Sequence, residues 1–205
     1  MGAVVEFIQK GGFMMYPLIF CSVLLFALIV ERVVSLRKAS ADAEGLLEEI
    51  QSAYAPGGDP ARAITLAEGQ GAIGRVFARG LKNAGRSPDA IEMAMEHEAA
   101  NETPGLEANL PIIRTIVNIG PLLGLLGTIA GMITSFQAAS KSGLSNPTQV
   151  LGGISEALTS TATGITLAVV GFVTYNYFSN QVRKTIEDIE YYGAELVNYM
   201  TGRIV

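Results

Sequence analysis

Apolar positions arrive in three long runs, Gly11–Val30, Thr115–Ser140 and Ala157–Val182, of 20, 26 and 26 residues without a charged side chain. At ~1.5 Å of rise per residue, each run is long enough as a helix to cross the hydrocarbon core of a bilayer. The pattern predicts an all-α integral membrane protein with three transmembrane helices. Between the first and second runs it changes to short amphipathic stretches separated by turn-forming sequences: Ala55-Pro-Gly-Gly-Asp-Pro60, Glu68-Gly-Gln-Gly71 and Asn83-Ala-Gly-Arg-Ser-Pro88. Ser87-Pro88-Asp89 has the form of a helix start, with a cap, a proline at the first helical position and an acid against the helix dipole, opening a helix through Ile91 and Met95. From the end of the third run onward, Phe178, Val182, Ile186, Ile189, Leu196 and Tyr199 recur at three-, four- or seven-residue steps. That spacing predicts a helix continuing with one apolar face. Its expected partners are the helices of the Ser35–Arg114 segment, with neighbouring subunits second.

The chain has 205 residues, 49% hydrophobic and 16% charged, with the charges gathered outside the apolar runs, a membrane composition rather than that of a compact soluble domain. Arg32, Arg37 and Lys38 follow the first run, Arg114 precedes the second, and Arg183 and Lys184 follow the third. By the positive-inside rule the N-terminus is expected outside and the C-terminus in the cytoplasm. The expected organisation is residues 1–34 as an outside segment and first transmembrane helix, 35–114 as a cytoplasmic helical segment, 115–182 as transmembrane helices two and three, and 183–205 as a cytoplasmic C-terminal helix. A signal peptide is the other reading of the first run, with Lys10 before it and Ala39-Ser40-Ala41 as a cleavage site, but Arg37 and Lys38 separate the run from that site. Cys21 stands alone inside the first run, which excludes an intrachain disulfide and suits a packing role. A net charge of -5 without a basic cluster gives no support for nucleic-acid binding. His97, the single histidine, lies among Glu92, Glu96, Glu98 and Glu102. Its immediate acidic neighbours point in different directions around a helix, which favours a solvated or subunit-contacting face over one metal coordination sphere. No hydrolase or transferase constellation and no cofactor motif is present, so an enzyme is not expected.

The chemistry concentrates in the last two runs. Between Lys141 and Arg183 the single charged side chain is Glu156, expected to open a helix that also carries Thr159, Thr161, Thr163, Thr166 and Thr174. A carboxylate taken toward the bilayer centre costs ~2.5–3.5 kcal/mol, so such an acid calls for a partner, a water-filled cavity or a proton. Near a helix start it can also serve the dipole and snorkel outward. At ~100° per residue, Thr159, Ser160, Thr163, Thr166 and Thr174 share a sector of about 120° with Glu156. Such a stripe can line a water path or make interhelical hydrogen bonds. The second run places Gly120, Gly124, Gly127, Thr128, Gly131 and Ser135 along one side, with Pro121 among them, a ridge that permits close helix approach. Thr128 is mid-run and can donate and accept, or bond its own helix. Three helices cannot enclose a sizeable aqueous channel, so a pathway implies oligomerisation. The spans contain no aspartate, lysine or histidine, so a relay needing a second carboxyl borrows it.

Two segments, Glu107-Ala-Asn-Leu-Pro-Ile-Ile-Arg-Thr-Ile-Val-Asn-Ile-Gly-Pro-Leu-Leu-Gly-Leu-Leu-Gly-Thr-Ile-Ala-Gly-Met-Ile-Thr-Ser-Phe136 and Gly153-Ile-Ser-Glu-Ala-Leu-Thr-Ser-Thr-Ala-Thr-Gly164, with Tyr175-Asn176 beyond, resemble the MotA/TolQ/ExbB proton-channel family, most closely its ExbB and TolQ branches. The resemblance implies a homopentamer in the bacterial inner membrane, around a dimer of a single-span ExbD- or TolR-like partner whose membrane aspartate receives the proton. It implies Thr128, Glu156 and Thr161 as the polar residues at the channel, with Thr163 beside them in the stripe. It also implies a TonB- or TolA-like energy transducer to which proton motive force is delivered, with lipid around the ring. Thr161 projects about 140° from Glu156, outside the stripe. Where the family commonly has Ala-Ile-Pro this chain reads Ala168-Val-Val170, so the kink expected of that proline is absent. The rival readings are a non-conducting membrane scaffold, a flagellar-stator-like subunit, which usually has a fourth span, and a self-contained transporter, which needs internal repeats not seen here.

Overall fold

The computed structural model describes residues 11–39, 42–142 and 147–203. Among the described residues the chain is all-α: α1 (Met15–Ala39), α2 (Ala43–Ala53), α3 (Ala61–Glu68), α4 (Gly71–Leu81), α5 (Pro88–Glu107), α6 (Leu110–Ser142) and α7 (Pro147–Thr201). Helices α1, α6 and α7 hold the three stretches long and apolar enough to cross a membrane. Lys10 and the Ser40-Ala41 part of the candidate cleavage site lie outside the described residues.

One boundary and one capping bond differ from the sequence expectation. Helix α7 starts at Pro147, which suits a first helical position because its missing N–H has no intrahelical partner there. Glu156 therefore sits in the third turn of α7 rather than opening it, beyond the first-turn reach of the helix dipole. Ser87 does occupy the cap before Pro88, yet its hydroxyl makes no capping bond. Its carbonyl accepts instead from the Ala90 and Ile91 amides at 3.0 and 3.1 Å. Between α5 and α6, Asn109 takes a left-handed φ of 63°, a conformation asparagine tolerates better than most residues.

The chain divides into two compact units, one made of the chain up to Val30 with Asn109–Tyr177, the other of Glu31–Ala108 with Phe178–Val205. In the first, each long helix buries one narrow seam: Met15, Leu18, Cys21, Leu25 and Leu28 on α1, Ile116, Gly120, Gly124, Gly127 and Gly131 on α6, and Gly153, Ala157, Ser160, Gly164 and Leu167 on α7. The other faces expose Phe20, Phe26, Leu122, Phe136, Leu158 and Phe172, apolar groups suited to hydrocarbon.

The second unit has a water-soluble style of core. Leu46 and Ile50 of α2, Ala63 and Ala67 of α3, Ile73, Val76, Phe77 and Leu81 of α4, Ile91 and Met95 of α5, and Ile189, Leu196, Val197 and Met200 of α7 form one cluster. The apolar face past the third run is thus covered by the expected helices, with Ile186 and Tyr199 only half-buried. The Tyr199 hydroxyl lies 3.1 and 2.8 Å from the carbonyl oxygens of Gln51 and Tyr54, at an end of α2 where backbone acceptors lack helical partners. Outside the core, Arg75 of α4 pairs with Glu102 of α5 at 2.5 Å, Arg79 reaches Glu98 at 4.0 Å, and Lys82 meets Glu68 at 2.5 Å. Hydrogen bonding to Glu102 pushes the Arg75 guanidinium above its ordinary range, but these exposed pairs add little stability each.

Phe77 is fully buried, so Phe77→Ala is expected to cost about 3–5 kcal/mol, and Tyr199→Phe about 1 kcal/mol. Thermal unfolding of the purified protein checks the order: a large drop in Tm for the first, a small one for the second.

Candidate functional site

The polar residues of α7 face two different neighbours. Thr161 donates from Oγ1 to the Gly124 carbonyl oxygen of α6 at 3.0 Å. That acceptor lies one helical turn before Thr128, whose own hydroxyl donates to the Leu125 carbonyl at 2.6 Å. Glu156, 140° around the helix, packs instead on the backbone of Gly12, just before α1. A Cβ on Gly12 would overlap the Glu156 carboxyl, and the φ of +67° there disfavours any larger residue. The Glu156 side chain is half-buried and has no hydrogen-bond or ion-pair partner among the described residues. Ser160, fully buried, sets its hydroxyl 2.7 Å from the Glu156 carbonyl oxygen and 2.9 Å from that of Gly11.

The threonine stripe does not bridge helices. Thr159, Thr163, Thr166 and Thr174 each donate 2.8 Å to the carbonyl four residues earlier in α7, the local bond open to any helical threonine. Thr163 and Thr166 face a groove of about 390 Å³ between α7 and α1, whose other walls include Leu18, Ser22, Leu25 and Phe26. Between Glu156 and Thr166, the Ser160 and Thr161 hydroxyls do reach another segment.

The α6 ridge meets a matching one. A Cβ on Gly120 would stand 3.1 Å from the Gly164 carbonyl oxygen, one on Gly124 3.1 Å from both the Ser160 carbonyl oxygen and Thr161 Cα, and one on Gly131 2.5 Å from the Gly153 carbonyl oxygen. Gly127 faces Ser160, and Pro121 lies half-buried beside Gly120. The sequence expectation covers only the α6 half. The signal for the other half is the spacing of Gly153, Ala157, Ser160 and Gly164, small residues at four-, three- and four-residue steps.

Arg32 also has a role that its position beside an apolar run does not reveal. It is 2% exposed, bonds both Glu31 carboxylate oxygens at 2.7 Å, and donates to the Leu106 carbonyl at 3.2 Å. Leu106 lies in the last turn of α5, where carbonyls lack helical partners and a cation is favoured. His97 is exposed, its Nδ1 3.3 Å from Asn101 Nδ2, and no group of three metal-ligating side chains occurs among the described residues.

A sequence profile described as the MotA/TolQ/ExbB proton channel family matches residues 68–191, the greater part of the chain. The chain belongs to this family. The match takes in α4 to α6 and α7 as far as Tyr191, hence the whole glycine seam with Thr128, Glu156, Thr161 and Thr163. The chain is similar to putative biopolymer transport protein ExbB-like 3 of Synechocystis, at 32% identity over 83% of this chain and 82% of that protein. It is also similar to a putative biopolymer transport protein ExbB homolog of Methanothermobacter thermautotrophicus, at 26% over 92% and 67%. To the Tol-Pal system protein TolQ of Pseudomonas aeruginosa it is 35% identical over 50% of this chain and 46% of that one. With three spanning-length apolar helices, this MotA/TolQ/ExbB member is a multi-pass membrane protein. Its α7 passes through Ala168-Val-Val170 as one continuous helix.

The seam makes a stability prediction. Gly124→Leu sets new atoms against backbone, which cannot swing aside, and is expected to cost at least about 1–3 kcal/mol. Gly152→Ala, where a Cβ meets nothing within 4 Å, is expected to be neutral or to stabilise by up to about 1 kcal/mol. Comparing the two Tm values checks the seam.

Proposed function

We propose that this chain is the proton-conducting subunit of a motor complex in the bacterial inner membrane, with its N-terminus periplasmic and its C-terminus cytoplasmic. In this reading it forms a homopentamer around a dimer of an ExbD- or TolR-like single-span partner. Proton motive force, passed through that partner to a TonB- or TolA-like transducer, would drive envelope-spanning machinery. The observation that carries the reading is the half-buried Glu156 carboxyl, without a partner among the described residues, on the same stretch of α7 from which Thr161 reaches α6 beside Thr128. Family membership and relatives named for biopolymer transport and the Tol-Pal system support it.

The chemistry follows from the medium. A charged carboxylate in the span costs ~2.5–3.5 kcal/mol, so Glu156 is stabilised by a proton or by a cation passing near it. The Thr128 and Thr161 hydroxyls can each donate and accept, and Thr163 extends the polar track on the α1 side. The spans contain no aspartate, so the terminal acceptor is the partner's. Protonating that acid changes which subunit face it can oppose, turning one ring relative to the other. Each charge crossing the membrane releases ~2.3 kcal/mol per 100 mV.

A second reading, a non-conducting scaffold, is favoured by the satisfaction of Thr128, Thr159, Thr163 and Thr166 within their own helices. Partner-dependent proton flux in liposomes separates the two. Glu156→Gln and Thr128→Val are expected to bring flux near background while the complex still assembles. Thr161→Val loses one interhelical bond worth about 0.6 kcal/mol, too little to disassemble the complex, so loss of flux there with recovery in Thr161→Ser marks a pathway residue. Wild-type flux in all three variants gives the protein to the scaffold reading.

A further inference from the structure

Helix α5 carries two acidic faces, and only one is neutralised from within the second unit. Glu98 and Glu102 meet Arg79 and Arg75 of α4. Glu92 and Glu96, with Glu190 of α7, have no cation within ion-pair distance among the described residues. These three exposed carboxylates rim one cleft of about 160 Å³ between α5 and α7. The cleft is floored by Val76, Met95 and Val197, and Gly193 and Ala194 make a low wall on the α7 side. The imbalance is not local to the rim: Glu31–Ala108 and Phe178–Val205 together hold eleven Lys and Arg against seventeen Asp and Glu.

The shape and the charge ask for one kind of occupant. A metal ion would need several oxygens around one point, and no three acidic, histidine or cysteine side chains are so placed among the described residues; an ion would also leave the apolar floor uncovered. A long basic side chain uses both features, its methylene stem on the floor and its charged head at the rim. We propose that this cleft is a docking site for a basic segment of a protein partner, one Arg or Lys entering between α5 and α7 with an apolar neighbour lying against Met95 and Val197. Because the carboxylates are exposed, the attraction is screened by salt and sets the encounter rate, while the floor provides the fit. The cleft shares no residue with the proton reading and does not depend on it.

The test uses the full chain in nanodiscs of neutral lipid and a fluorescent synthetic peptide alternating Arg and Leu, titrated by anisotropy. Binding is expected to weaken about tenfold in Glu92→Gln/Glu96→Gln/Glu190→Gln, and by a similar factor in Ala194→Trp, which fills the cleft without changing charge. A peptide with Gly in place of Leu is expected to bind about tenfold more weakly. All four positions are exposed, so both variants are expected to keep the wild-type Tm. The proposal is overturned if the peptide does not bind, or if Ala194→Trp or the Arg/Gly peptide binds as tightly as the original pair, which would leave charge attraction without a cleft. Displacement by spermidine at matched charge as effective as by unlabelled peptide would overturn it in favour of a small polyamine.

Discussion

Helices α6 and α7 touch backbone to backbone: a side-chain carbon on Gly124 would stand 3.1 Å from the Ser160 carbonyl oxygen. In hydrocarbon there is no hydrophobic force to draw two apolar helices together, so association rests on close packing and on hydrogen bonds. Glycines at four-, three- and four-residue steps on α6 supply the packing, and their counterparts on α7 remove the remaining bulk. The same proximity brings the Gly124 carbonyl within 3.0 Å of the Thr161 hydroxyl. With a thicker seam Thr161 would be left to its own helix, as Thr163 and Thr166 are.

Fixing the seam also fixes the rotation of α7, and with it the surroundings of Glu156. Once Gly153, Ala157 and Gly164 face α6, the angle per residue turns Glu156 toward Gly12 and Thr163 toward the groove against α1. Position 12 favours glycine because its φ of +67° strains most residues that carry a Cβ, and a Cβ there would have to displace the Glu156 carboxyl. The acid is thereby given space without a counterion among the described residues.

The second unit follows water-soluble rules. Its core closes around Phe77, and its polar surface is sorted: Arg75, Arg79 and Lys82 face acids across α4 and its neighbours, while Glu92, Glu96 and Glu190 face outward. Arg32 is the exception to surface sorting. Its burial is compensated by the Glu31 carboxylate and by a carbonyl in the last turn of α5, which together satisfy a charge that could not be buried alone.

The amino-acid sequence by itself determined the all-α class, the three spanning runs, the turns at 55–60 and 83–88 and the apolar face from Phe178 to Leu196, because run length and period reflect local chain geometry. It also held the α6 glycine ridge and the family's residues. It did not determine where α7 begins, since hydropathy marks where the apolar run starts and Pro147 opens the helix earlier. Nor did it determine which neighbour each polar residue meets. Periodicity tells that Glu156 and Thr161 lie on different faces, but not that one meets Gly12 and the other Gly124, nor that Arg32 is buried. Those pairings join residues far apart along the chain, and only tertiary packing, which sets the rotation of each helix against its neighbours, decides them.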